Sequence, residues 1–594
     1  MIPGMNTAFA RAAVLAASLV LSGTGAARAS TADTAFAAVS ARYMNDFMAL
    51  TPVNATQLGD HRFDDRIDDW SAAGRDRNAK LSRELIAAID AINLQQLSRA
   101  NQVDARLLRH ALEYNLWRLD TLRDWSWDPL TWTSLAGDAV YLLLARDFAP
   151  LPQRMDHVAA RLAALPTLLR QERESLVPAR VPAIHASTAA AQNAGLLSIL
   201  DEVVKPGLGQ LPPAQRAHVQ QVMEQARAAI EEQQTWIEKT LVPNAHGDFR
   251  LGKKLYDEKL AFELDSPLSR AEIRARAEQT IADTRAHMYS IARTVLAGRP
   301  GAPPLPQQPS PDQQQRVIEA ALEIAYARQP ARDKVFDAAR AAFTQARDFV
   351  RSKDLLTLYP DPIEIIPMPE FQRGVALAYC DAPGPLDSGQ KTFYAVAPIP
   401  ADWTGPQVHS YLREYNTRAI NELTIHEAMP GHYVQLAHAN RYHSPLRATL
   451  QSGSFIEGWA MYAELMMSEQ GYMNGDPLMQ LIDLKWYLRA TANAIIDQGV
   501  HVDGMTRDQL MHFLVHDTFQ EEREAAAKWV RVQLSSAQLP TYFVGVQEHL
   551  DLRAEARRRW GASFTLKRYN DTVLSFGSPP VRYVRELMFD LPVQ

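Results

Sequence analysis

Cysteine is almost absent from this 594-residue chain. Cys380 is the only one, so no intrachain disulfide can form, and a cysteine nucleophile has little support. Charge of one sign is also missing. With 62 Lys and Arg against 68 Asp and Glu, the formal net charge of -6 leaves no basic footprint for nucleic acid or for an anionic membrane surface. There is no Gly-rich phosphate loop and no internal repeat. The N-terminal apolar run, Ala12 to Leu21, is about half of the roughly 20 residues a membrane-spanning helix needs.

That run reads instead as the core of a secretory signal over residues 1–29. Arg11 precedes it, and Ala27-Arg28-Ala29 offers an A-x-A cleavage site before Ser30. The expected location is periplasmic or secreted. No Cys follows the cleavage site, so no lipid attachment is expected there. The remaining chain is long enough for one large or two ordinary domains. Helix-period apolar spacing dominates residues 30–296, as in "DARLLRHALEYNLWRLDTL", and predicts an N-terminal helical lobe. The Pro- and Gln-rich stretch 297–315 suits a linker. Residues 316–594 form the expected C-terminal lobe, with a small antiparallel sheet at about 361–400 and an edge strand near 373–381.

Within that lobe, "NELTIHEAMPGHYVQ" at 421–435 resembles a metallopeptidase helix with altered spacing. In H-E-x-x-H the histidines lie about 400° apart and share a face; His426 and His432, six apart, would be separated by about 600° on a regular helix. Pro430 forbids a regular helix here, because it lacks a donor and clashes with the carbonyl four residues back. Gly431 tolerates unusual dihedrals, and a two-residue bulge would return His432 to the first ligand's face. Glu427 keeps the place of the general base. Downstream, "SGSFIEGWAMYAELMMSEQ" at 452–470 supplies Glu457 as the preferred third ligand and Glu464, seven residues on, as its hydrogen-bonding support or alternate. The metal helices therefore span about 416–470. Trp459 and Tyr462 read as core packing.

The motifs "HEAMPGHYVQ", "EGWAMYAE", "IIDQGVH", "TYFVG" and "LSFGSPPV" resemble, in order, those of the bacterial domain-of-unknown-function 885 family (DUF885), which is distantly similar to thimet oligopeptidase, Taq carboxypeptidase and angiotensin-converting enzyme. The resemblance implies a mainly α, two-lobed zincin-like shell around a deep cleft. It also implies one Zn2+ per chain on His426, His432 and Glu457, Glu427 as general base, and Tyr542 or His501 as oxyanion donor. Asp497, four residues before His501, would orient that imidazole. Asn493 and the Tyr569-Asn570-Asp571 run depart from the family pattern without touching the ligand set.

The expected function is hydrolysis of short oligopeptides by a secreted zinc metallopeptidase, monomeric by default. In such centres zinc polarises the scissile carbonyl and lowers the pKa of its water to about 7, while a carboxylate takes the water's proton. Two other readings fit the same residues: a zinc amidohydrolase of non-peptide amides, and an inactive peptide-binding protein.

Overall fold

The computed structural model describes residues 30–368, 378–387 and 389–594. The signal at 1–29 lies outside the described residues. The fold is mainly α, with one three-stranded sheet among the described residues. Helices begin where polar caps precede apolar stripes: Ser98 caps Arg99–Trp117, and the Asn416 side chain accepts from the Arg418 and Ala419 amides at the start of Thr417–Glu427.

Three large apolar clusters order the chain. One gathers helices between Ala32 and Leu112, a second runs from Trp132 to Ala245, and the largest runs from Tyr256 to Val584. The expected linker at 297–315 does not separate two of these clusters. The helices that flank it, Arg270–Leu296 and Pro311–Tyr326, both bury apolar faces in the largest cluster. Residues 311–315 are themselves helical, because Ser310 and Gln313 form a capping box and Pro311 takes the first-turn position where its missing N–H costs nothing.

The sheet is mixed, not antiparallel. β1 (Ile363–Pro367) pairs parallel with β3 (Thr392–Val396), Ile363 facing Thr392, while β2 (Ala378–Asp381) pairs antiparallel with β3, Ala378 facing Val396. The turn signals between β2 and β3 predicted their antiparallel pairing. β1 then takes the opposite edge of β3, which the alternation of residues along a single strand does not encode. β2 is an edge strand as expected, although residues 373–377 of the predicted strand lie outside the described residues. Part of its edge is used: Arg146 donates to the Asp381 carbonyl (2.8 Å) and pairs with the Asp381 carboxylate (2.7 Å).

The N-terminal helices also grip the chain between the helices His432–Ala439 and Gly453–Glu469. Leu446 inserts into the first apolar cluster. The adjacent Arg447, fully buried, donates to the Asp104 carboxylate and, at 2.5 Å, to the Ala100 carbonyl.

Candidate metal centre

The helix Thr417–Glu427 stops where the sequence places Pro430, and a new helix, His432–Ala439, starts immediately after Gly431. The expected bulge is thus a complete break. Gly431 takes the unusual dihedrals expected of it, with φ -71° and ψ -129°. It also permits a close approach, since a Cβ there would lie 1.9 Å from the His426 carbonyl oxygen. The break folds back so tightly that the Gly431 amide donates to the Ile425 carbonyl at 2.9 Å. Trp459, fully buried, closes over it by donating from Nε1 to the Pro430 carbonyl at 3.0 Å. Packing with a single polar contact is the role the sequence suggested for this residue and for buried Tyr462, whose hydroxyl donates to Asn570.

The break brings the histidines together. Their rings lie 4.7 Å apart and nearly perpendicular, at 86°. The helix Gly453–Glu469 adds Glu457, whose Oε2 is 3.5 Å from both His426 Nε2 and His432 Nε2. These separations fit zinc: tetrahedral ligands about 2.1 Å from one ion stand about 3.4 Å from each other. The Glu457 oxygen has no hydrogen-bond partner, as a ligand atom held for a cation should. Burial pushes the Glu457 carboxyl up, and the two imidazoles outweigh that and hold it well below the carboxylate range.

Glu464 takes the supporting place. Its Oε1 is 2.6 Å from His426 Nδ1, which fixes the tautomer with Nε2 free to ligate. Behind it lies a feature the sequence reading missed. Glu422, Glu464 and Asp483 bring carboxylate oxygens within 4.8 Å of one another, and none of the three is more than 3% exposed. Burial first, then the neighbouring carboxylates, push Glu422 well up, and burial pushes Asp483 to about 7. The i, i+4 spacing of Glu422 and His426 carried a signal for this cluster, since it places both on one buried face.

Glu427 is buried beside the triad, close enough for the charges of His426, His432 and Glu457 to act on its carboxylate. Burial raises its pKa, against the pull of the two histidines. Tyr542, on the helix Pro540–Trp560, lays its ring nearly parallel to His426 (20°, 6.4 Å), and its hydroxyl accepts from Arg531 at 3.3 Å. Burial, then the Glu457 charge, raises the phenol.

His501 is placed elsewhere. It is 2% exposed, with Nε2 directed at the Val532 and Ser535 carbonyls (2.8 and 2.9 Å) and its ring stacked on Tyr256. Its Nε2 is spent on backbone carbonyls, its Nδ1 is buried without a partner, and neither nitrogen is directed at the triad. Asp497 does not hydrogen-bond it; that carboxylate accepts from the Tyr256 hydroxyl (2.6 Å) and the Ala537 amide (2.7 Å). Of the two oxyanion donors implied by the resemblance, only Tyr542 reaches the centre.

Fold and site together define a helical protein with a His-His-Glu cluster, its histidines buried and its glutamate partly exposed, assembled across a broken helix. The chain belongs to the family described as bacterial protein of unknown function (DUF885), whose model matches residues 52–588. It is similar to the solved structure of a "putative lipoprotein of unknown function" from Shewanella oneidensis, at 30% identity and a TM-score of 0.78, over 93% of this chain and 99% of that one. The solved structure of a "putative lipoprotein" from Colwellia psychrerythraea shares the fold at 17% identity, with a TM-score of 0.75 over 94% and 99% of the two chains. No curated protein matches the chain. No helix among the described residues is long and apolar enough to cross a membrane.

Proposed function

We propose that this protein is an exported, zinc-dependent peptidase that hydrolyses short peptides. The observation that carries the reading is the convergence of His426, His432 and Glu457 at ligand spacing, with Glu427 alongside. When bound, zinc supplies Lewis-acid polarisation of the scissile carbonyl and acidifies water.

The chain's own groups divide the remaining work. Glu427, its affinity for protons raised by burial, accepts the proton of the attacking water and returns it to the leaving amine. Tyr542 accepts from Arg531, which leaves its own O–H proton to donate to the developing oxyanion. Glu464 holds His426 in the tautomer that ligation needs.

The test is metal content by mass spectrometry on protein purified without added metal, paired with a peptide-library screen. About one zinc per chain and cleavage by wild type, zinc retained but cleavage abolished in Glu427→Gln, are expected. Wild-type turnover by Glu427→Gln would exclude the general-base role, and metal-free protein would exclude the zinc centre.

A further inference from the structure

The helix Glu522–Leu534 carries a buried cation that the mechanism above does not use. Seven Lys and Arg side chains are buried among the described residues, and six of them have a carboxylate within 4.0 Å. Lys528 is the exception. It is 4% exposed and makes no hydrogen bond or ion pair with a described residue. Burial, followed by the charges of Arg489 and Arg531, depresses its ammonium well below the ordinary range, and only Glu524 pulls the other way. That carboxylate is already engaged by Arg489 and by the Tyr415 hydroxyl.

Arg531 follows three residues later, so both cations project from one side of the helix. It too has no carboxylate partner among the described residues. Its Nη2 is shared between the Gln538 side chain (3.1 Å) and the Tyr542 hydroxyl (3.3 Å). Tyr542 in turn lies over His426, so Arg531 borders the metal centre on the phenol side, with Lys528 about one helical turn before it. An unpaired buried charge destabilises a fold, and such groups persist where a ligand completes the pair. Arg and Lys together match a carboxylate, the guanidinium as a planar fork and the ammonium as a point charge.

We propose that Lys528 and Arg531 form a carboxylate subsite that holds the free C-terminus of a peptide substrate, so that cleavage falls close to C-terminal ends. This rests on the peptidase reading and specifies its substrate class. The sequence held a signal for it: in "EREAAAKWVRVQL" Lys528 occupies the apolar stripe between Ala525 and Val532, where a lysine is out of pattern.

The test uses zinc-supplemented Glu427→Gln protein for binding and wild type for cleavage. Three matched peptides with otherwise neutral side chains are compared: a free acid, its C-terminal amide, and an amide with an added Glu. The free acid is expected to bind about tenfold or more tightly than the plain amide, a preference lost in a second protein carrying Lys528→Met and kept by Lys528→Arg. The melting temperature of Lys528→Met should hold or rise, whereas a merely structural lysine would lower it. Equal binding of acid and amide overturns the proposal, and rescue of the amide by the Glu side chain overturns the C-terminal assignment. Preferential binding of the acid without cleavage by wild type upholds the subsite and defeats the peptidase reading. Cleavage of acid and amide with equal kcat/KM does the reverse.

Discussion

Gly458 and Gly545 meet backbone to backbone: a Cβ on Gly458 would lie 2.3 Å from the Gly545 carbonyl carbon, and one on Gly545 would lie 2.0 Å from the Ser454 carbonyl oxygen. The contact locks the helix of Glu457 against the helix of Tyr542. Both glycines belong to motifs quoted from the sequence, "EGWAMYAE" and "TYFVG". Neither has a positive φ. They are there for close approach, since only a missing Cβ lets the axes come this near.

Gly458→Ala and Gly545→Ala should therefore push the helices apart and carry Glu457 away from the histidines. A stability loss of roughly 1–3 kcal/mol is expected from overpacking. Zinc affinity, measured by competition with a chromogenic chelator, should fall further than stability alone accounts for. Unchanged affinity in either variant would show that Glu457 does not depend on this contact.

Glu464→Gln tests the tie to His426 Nδ1. The amide keeps the shape but loses the charge that raises the ligand's basicity, so zinc affinity should fall by about 10- to 100-fold while the circular dichroism spectrum stays the same. Glu457→Gln should weaken binding more, because it alters a ligand. The reverse order would exchange the two carboxylates' roles.

Tyr542→Phe should lower kcat by about 10²- to 10³-fold with little change in KM, the signature of a donor that acts on the transition state. His501→Gln should instead lower the melting temperature through its lost contacts with the Val532 and Ser535 carbonyls. A large kcat effect at His501 without a stability change would restore it as an oxyanion donor.

Asp483 gives a pH prediction. Its carboxyl, 3.8 when unperturbed, is raised to about 7 by burial, so between these values the folded protein binds a proton that the unfolded chain releases. The stability this proton confers is fully present below about pH 4 and is lost as pH rises to about 7. Denaturant titrations across this window should show that fall, on the order of a few kcal/mol, and Asp483→Asn should flatten it. An unaltered slope in the variant would assign the proton to Glu422.

Much of the centre was legible because its chemistry sits in contiguous motifs. His426, Glu427 and His432 lie within seven residues, and Glu457 and Glu464 share one helical face. The mainly α class followed from apolar periodicity in the same way. His501 misled because a motif records that a residue matters and not whether its nitrogen meets substrate or a backbone carbonyl. The parallel β1–β3 pairing and the burial of both helices flanking 297–315 in one core depend on contacts distant in sequence. Lys528 and the Glu422–Asp483 pair escaped for a related reason: their meaning lies in what each does or does not touch.

Arg447 sets a limit on how this protein can be dissected. The helices that carry the candidate ligands, Glu427 and Tyr542 all lie after residue 416, which invites expression of that half as a portable cassette. Yet the Arg447 guanidinium, set between those helices, is fully buried against Asp104 and Ala100, which belong to the other end of the chain. Stripping away the N-terminal helices would strand that charge, at a cost of about 3–5 kcal/mol, and would uncover Leu446. The two halves are one heirloom, passed on whole: recombination that exchanges either half must exchange Asp104 and Arg447 together.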